Sequence, residues 1–117
     1  LEVTEHIGRP GEWPEAGAME AVLDAAAVGL CLRVRSLRAG DRLAPLGMRG
    51  SRKISDILVD EKVPVAQRAG LICITDCQDD ILWLPGLRMS RSAAITETTT
   101  SYYRVRLTQA GRGTYRS

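Results

Sequence analysis

Seven cationic side chains fall within residues 33–53, namely Arg33, Arg35, Arg38, Arg42, Arg49, Arg52 and Lys53, against the single acid Asp41. Guanidinium and ammonium groups at this density repel one another unless an anion joins them, and phosphate suits their hydrogen-bonding geometry. An isolated arginine here reads as solvated surface; the cluster reads as a phosphate-contacting face. Arg88 and Arg91 follow the Pro85-Gly86 turn and are expected to extend it. Asp41 has no second carboxylate beside it for acid–base work, so it is expected to cap the loop or to pair with a neighbouring arginine. The one histidine, His6, stands near the amino terminus, and no nucleophile–base constellation is recognisable. These residues point to binding, with no catalytic set.

Other groupings have competing readings. Gly50-Ser51-Arg52-Lys53 either cradles an anion at a helix start or is an ordinary cap with Ser51 as N-cap. It lacks the Gly-x-x-x-x-Gly-Lys-Ser/Thr spacing of a nucleotide-hydrolysing loop. Cys73 and Cys77 have the look of a metal pair, but a structural zinc site needs four ligands, so no metal is expected. Three cysteines, Cys31, Cys73 and Cys77, without secretory features favour free thiols and a cytoplasmic setting. Trp83, Tyr102 and Tyr103 either stack on bases or pack internally; in strand patterns packing is the expectation. Met48 and Met89 read as gap-filling apolar residues.

The elements that must position the cations belong to a chain of 117 residues, the size of one compact domain and small for a multi-substrate enzyme. Its longest apolar run, Ala25–Leu32, is too short to span a bilayer. Opening on Leu1 with Glu2 and Glu5, it reads as an excised fragment. The formal net charge is only +2, yet residues 1–32, 33–53, 54–86 and 87–117 carry −5, +6, −4 and +5. Two basic segments meeting on one side would make a cationic surface despite the modest total.

Residues 1–18 are expected to form a lead-in strand and a linker around Gly8–Glu15, residues 19–107 the domain itself, and residues 108–117 a flexible tail. From Leu30 the pattern alternates, which places Leu30, Leu32 and Val34 inward and Cys31, Arg33 and Arg35 outward together. Gly40–Gly50 is expected as an ordered loop outside any element. A helix follows from Ser51 to Val63-Pro64, and a second short one runs from Pro64 to Ala69. Leu71–Thr75 and Ile81–Leu84 read as strands about an Asp76–Asp80 turn, and Ile95–Leu107 as the last strand. About five strands and two short helices without βαβ alternation predict an α+β domain on a small mixed or antiparallel sheet.

The run from Arg33 to Met48, with Gly40-Asp41-Arg42 and Pro45-Leu46-Gly47-Met48, resembles the carboxy-terminal domain of the tRNA(Ile)-lysidine synthetases. Gly50–Asp56, Glu61–Pro64 and Ile81–Arg88 continue the likeness in order, across roughly Met19 to Leu107. Aliphatic Leu43, Ile57 and Leu58 stand where the family usually has aromatic residues. The resemblance implies a fold similar to the editing-like module of phenylalanyl-tRNA synthetase beta chains. It also implies an RNA-binding domain that grips the acceptor stem and body of tRNA, not DNA and not a membrane. An amino-terminal catalytic domain of the same protein would use ATP and Mg to join lysine to the wobble cytidine. That domain's Ser-Gly-Gly-x-Asp-Ser loop has no counterpart here, so the fragment needs no cofactor and is expected to be inactive alone. On this reading Arg33, Arg35, Arg38, Arg42, Arg49, Arg52, Lys53 and Arg88 contact tRNA. The alternative is a protein-interaction domain docking through its basic face.

Overall fold

The computed structural model describes residues 1–15, 18–29 and 31–107. Strands β1 (Glu2–Ile7) and β2 (Glu20–Asp24) lead into a one-turn helix α1 (Ala25–Val28), then β3 (Arg33–Ser36), β4 (Arg42–Leu43) and β5 (Arg52–Lys53). Helices α2 (Ile54–Asp60) and α3 (Val65–Arg68) precede β6 (Ile72–Thr75), β7 (Ile81–Leu84) and β8 (Arg88–Met89). A 3-10 turn at Arg91–Ala93 and the long strand β9 (Ser101–Arg106) complete the α+β fold.

Every strand pairing is antiparallel, in three sheets ordered β1-β9-β2, β3-β6-β7-β8 and β4-β5. The four-stranded sheet is the middle layer. On one side, Ile74, Leu82 and Trp83 pack with Ala21, Leu23, Tyr103 and Val105 of the three-stranded sheet and with Ala25 and Val28 of α1. On the other, Cys73, Ile81 and Leu84 pack with Leu43 and with Ile54, Ile57 and Leu58 of α2. Burial on both faces explains why Leu71–Ile74 and Ile81–Leu84 are continuous apolar runs and not alternating ones.

Helix ends follow local chemistry. Asp24 caps α1 by accepting from the Ala26 N–H at 3.0 Å and also accepts from the Thr99 hydroxyl at 3.0 Å. At the end of α2, Lys62 adopts φ 58°, so that Lys62 N–H reaches the Val59 carbonyl and Val63 N–H the Leu58 carbonyl. This is a Schellman closure with a lysine where glycine is preferred, and Val63 packs under it on the α2 core.

Several expectations are corrected. The loop Gly40–Gly50 contains an element: Arg42 pairs with Lys53 and Leu43 with Arg52, because burial of Leu43 draws the segment onto the core. That ladder also displaces the helix start, so the N-cap is Lys53 and not Ser51, and the first helical N–H, of Ile54, is taken by the Asp41 carbonyl at 2.9 Å. The outward face of β3 is not Arg33 with Arg35. Val34 is 38% exposed on this edge strand, while the Arg35 side chain is 13% exposed because two carboxylates make a polar niche for it. The alternation was real, but its inward side was occupied by a satisfied ion pair. Of Ile95–Leu107 only Ser101–Arg106 is strand; Thr96 and Thr99 bond to local backbone, with Thr96 N–H donating to the Thr99 hydroxyl at 2.8 Å, and hold a turn instead. Cys31 and Cys77 are not free thiols but a disulfide, and Cys73 alone is free and buried. Trp83, Tyr102 and Tyr103 are buried as expected, with Tyr103 donating to the Gly29 carbonyl at 3.0 Å. The tail at 108–117 and the face assigned to Leu30 lie outside the described residues.

Candidate nucleic-acid interface

The turn after β3 is built around one carboxylate. Gly40 supplies the positive φ of 86° that lets Asp41 fold back, and Asp41 Oδ2 accepts from the Arg38 N–H at 2.6 Å. The same carboxylate receives Arg35 Nη1 and Nη2 at 2.9 and 3.0 Å, a bidentate fork. Arg35 Nε donates to Asp79 Oδ1 at 2.8 Å, and Arg38 Nη1 to Asp79 Oδ2 at 3.0 Å. The Arg35 guanidinium beside it holds the Asp41 carboxyl below the usual carboxylate range, outweighing the upward push of burial. Asp41 therefore pairs with a neighbouring arginine, as expected.

Four of the eight candidate contact residues are thereby committed to carboxylates: Arg35 to Asp41 and Asp79, Arg38 to Asp79, Arg52 to Asp60, and Arg88 to Glu61 at 2.7 Å. The other four, Arg33, Arg42, Arg49 and Lys53, have no carboxylate partner among the described residues. Three of these belong to one unit. Arg42 and Lys53 are direct partners across the β4–β5 ladder, and Arg49 lies in the loop joining those strands. Arg33 stands apart at the far end of β3, about 10 Å along the strand from Ser36.

The loop that carries Arg49 is tied down. Arg91 Nη1 donates to the carbonyls of Met48 and Gly50 at 2.7 and 2.8 Å, and Arg42 donates to the Ser51 hydroxyl and carbonyl at 3.1 and 3.2 Å. Neither alternative for Gly50-Ser51, an anion cradle at a helix start or an ordinary cap, is what forms, since α2 begins at Ile54 and the Gly50 and Ser51 carbonyls face cations of this chain. What remains is a like-charged pair, Arg42 opposite Lys53, held on a short ladder. Like charges directly opposite one another destabilise a sheet by a few tenths of a kcal/mol, a cost that an anion lying across both would remove.

The clamp residue Asp79 carried no motif and was not anticipated; its contribution depends on the β6–β7 turn, where φ of 68° aims it back at β3. A second ionic cluster was also not anticipated. Glu20 receives Arg104 and Arg106, whose hydrogen bonds outweigh burial and hold its carboxyl low. Two of the six cations in the carboxy-terminal basic segment are therefore committed to β2 and do not reinforce the β4–β5 patch. Among the described residues no group of three or more histidine, cysteine or acidic side chains is placed to hold a metal, and no helix is long and apolar enough to cross a membrane.

Comparison with known proteins agrees with this architecture. The chain is 36% identical over 94 residues to a tRNA(Ile)-lysidine synthase of Geobacter sulfurreducens, covering 80% of this chain and 20% of the relative. It is 52% identical over 60 residues to that of Symbiobacterium thermophilum, covering 51% and 12%. The chain thus spans a fifth or less of the length of these relatives. Among solved structures, the TilS C-terminal domain superposes with a TM-score of 0.72 at 32% identity, over 89% of this chain and 80% of that one. An amino-terminal fragment of the phenylalanyl-tRNA synthetase beta-subunit from Pyrococcus horikoshii gives 0.58 at 17% identity, over 74% and 28%, which is a likeness of fold alone. Since the profile of the TilS substrate C-terminal domain matches residues 32–107, well over half of the chain, the protein belongs to that family.

Proposed function

We propose that this chain is the tRNA-gripping domain of a tRNA(Ile)-lysidine synthase, and that it holds the sugar-phosphate backbone of the acceptor stem and tRNA body through Arg42, Arg49 and Lys53. The observation that carries the reading is the Arg42–Lys53 pair, two cations fixed opposite one another without a carboxylate. An A-form helix offers phosphates and 2′-hydroxyls at its surface, while its deep major groove is closed to side chains. A shallow cationic ladder that itself carries no aromatic side chain suits that surface better than splayed single-stranded bases. Arg33 adds a fourth contact at a distance, and Arg91 acts indirectly by fixing the loop. Chemistry on the wobble cytidine, with ATP, Mg and lysine, belongs to a catalytic domain elsewhere in such an enzyme. A tRNA partner implies a cytoplasmic setting.

Leu46 and Met48, 52% and 40% exposed beside these cations, favour a second reading in which the patch docks on another protein surface. Salt dependence separates the two. With three or four phosphate contacts, log affinity for tRNA falls with log salt at a slope of roughly −2 to −4. Replacing Arg42, Arg49 and Lys53 together by alanine flattens that slope by about 2–3. A control triple at Arg9, Arg112 and Arg116 removes the same charge and changes it less. Equal losses in the two folded triples refute the assigned face, and a wild-type slope near zero favours the protein partner.

A further inference from the structure

Continuing the β3–β6 register, in which Arg33 faces Thr75, two residues past the end of the ladder sets Cys31 opposite Cys77. Their Cα atoms are 5.4 Å apart and their sulfurs are joined, a separation that a disulfide bridges without backbone movement. Cys77 is exposed and Cys31 half-buried, so a reagent reaches the bond from the Cys77 side. The remaining thiol, Cys73, is fully buried and burial raises its pKa, so it does not compete for either sulfur.

Two residues beyond Cys77 stands Asp79, the carboxylate shared by Arg35 and Arg38. The Arg38–Asp79 pair has side chains 63% and 50% exposed. Pairs this exposed contribute little by themselves, so of the two arginines on Asp79 it is Arg35, 13% exposed and 2.8 Å away, that ties the tip of the turn to β3. The β6–β7 turn is further fixed internally by Asp76, which accepts from the N–H groups of Gln78 and Asp80 at 2.8 and 3.0 Å, and covalently by the disulfide at its base. Arg35 keeps its fork to Asp41 wherever the turn lies, whereas Asp79 is the only carboxylate on Arg38 among the described residues.

We propose that Cys31–Cys77 is a thiol–disulfide exchange site for a dithiol reductant, and that its state sets whether Asp79 neutralises Arg38. A thiolate of the dithiol attacks Cys77 Sγ, forming a mixed disulfide and expelling the Cys31 thiolate, which takes up a proton. The reductant's second thiol then attacks its own sulfur in the mixed disulfide and releases Cys77. Two electrons and two protons pass to the protein, and the reductant leaves as a disulfide. A small-molecule disulfide reverses the sequence. In the reduced state the turn loosens, Asp79 leaves Arg38, and the already exposed Arg38 stands without a carboxylate beside the β4–β5 patch.

The binding consequence rests on the phosphate-contact reading; the change in the turn does not. The test uses the whole chain, air-oxidised and after treatment with dithiothreitol. Thiol titration in denaturant rises from one to three per chain, circular dichroism shows both forms folded, and amide exchange at Gln78 and Asp80 becomes at least tenfold faster on reduction. The tRNA salt slope steepens by about 0.7–0.9, one added phosphate contact. Asp79→Asn steepens the oxidised form alike and abolishes the difference between redox states. Unchanged amide exchange, unfolding on reduction, or a redox difference that survives in Asp79→Asn overturns the switch. Should neither form bind tRNA at low salt, the phosphate-contact reading falls, and the switch stands or falls on amide exchange alone.

Discussion

Asp41→Asn isolates the charge on which the β3 turn depends. The wild-type carboxylate accepts three hydrogen bonds, two from Arg35 and one from the Arg38 backbone, and both ionic side chains are only 13% exposed. Removing one partner of a buried pair costs about 3–5 kcal/mol. Arg35 retains Asp79 and the asparagine keeps one acceptor, so the expected loss is nearer about 2–3 kcal/mol, or roughly 8–15 °C in Tm for a domain of this size. The pH dependence has a definite sign. Asp41 is depressed in the folded state, so its contribution is complete above the unfolded carboxyl value of about 3.9 and is lost as pH falls through the lower folded value. Urea titrations of wild type, Asp41→Asn, Arg35→Met and the double variant should give a coupling of at least about 1.5 kcal/mol at pH 7, shrinking below pH 4. Coupling under about 0.5 kcal/mol, the range of ordinary surface pairs, would refute the niche. So would a difference between wild type and Asp41→Asn that persists unchanged to pH 2.

Two further outcomes can be checked by the same unfolding measurements. Lys62→Gly removes a side chain from a left-handed position and should stabilise the domain by about 0.5–1 kcal/mol, so a loss of stability would contradict the Schellman closure. Cys31→Ser with Cys77→Ser opens a link across 46 positions, for which the chain-entropy relation gives about 4 kcal/mol as the upper expectation; an unchanged urea midpoint would mean that the link adds nothing.

The sequence made the elements near α2 and the β6–β7 hairpin readable, because Pro64, the Asp76–Asp80 turn and the uninterrupted apolar strands are local signals. It also made the cation cluster visible, but not its accounting. Arg35 and Arg42 look alike in the chain, and it is the fork from Asp41 together with the approach of Asp79, 44 positions away from Arg35, that separates a buried strut from an exposed contact. The two-residue ladder β4–β5 escaped notice since a strand of that length has no period to detect. The disulfide was hidden for a related reason: cysteine count and compartment argue about thiols in general, whereas Cys31 and Cys77 meet through a register that no count contains. Once Arg33 is known to face Thr75, the pairing follows by extending the ladder.

The pairing of Glu2 with Arg106 and of Ile7 with Ser101 on one side of β9, and of Glu20–Asp24 on the other, has a consequence for the order of assembly. The contacts of α2, β4, β6 and β7 join residues between Leu43 and Leu84, so that half of the core is complete in the nascent chain before β9 is made. Sheet β1-β9-β2 closes over about a hundred residues and must await synthesis of the final strand, at about 5–20 residues per second. During that interval the apolar side chains of β2, Ala21 and Leu23, have the middle sheet to lie against but no hydrogen-bonded neighbour in the β9 position. Strand β9 therefore docks beside the waiting edge of β2, and β1, exposed along its whole length and paired to β9, joins after it, once the cationic ladder already has its core support.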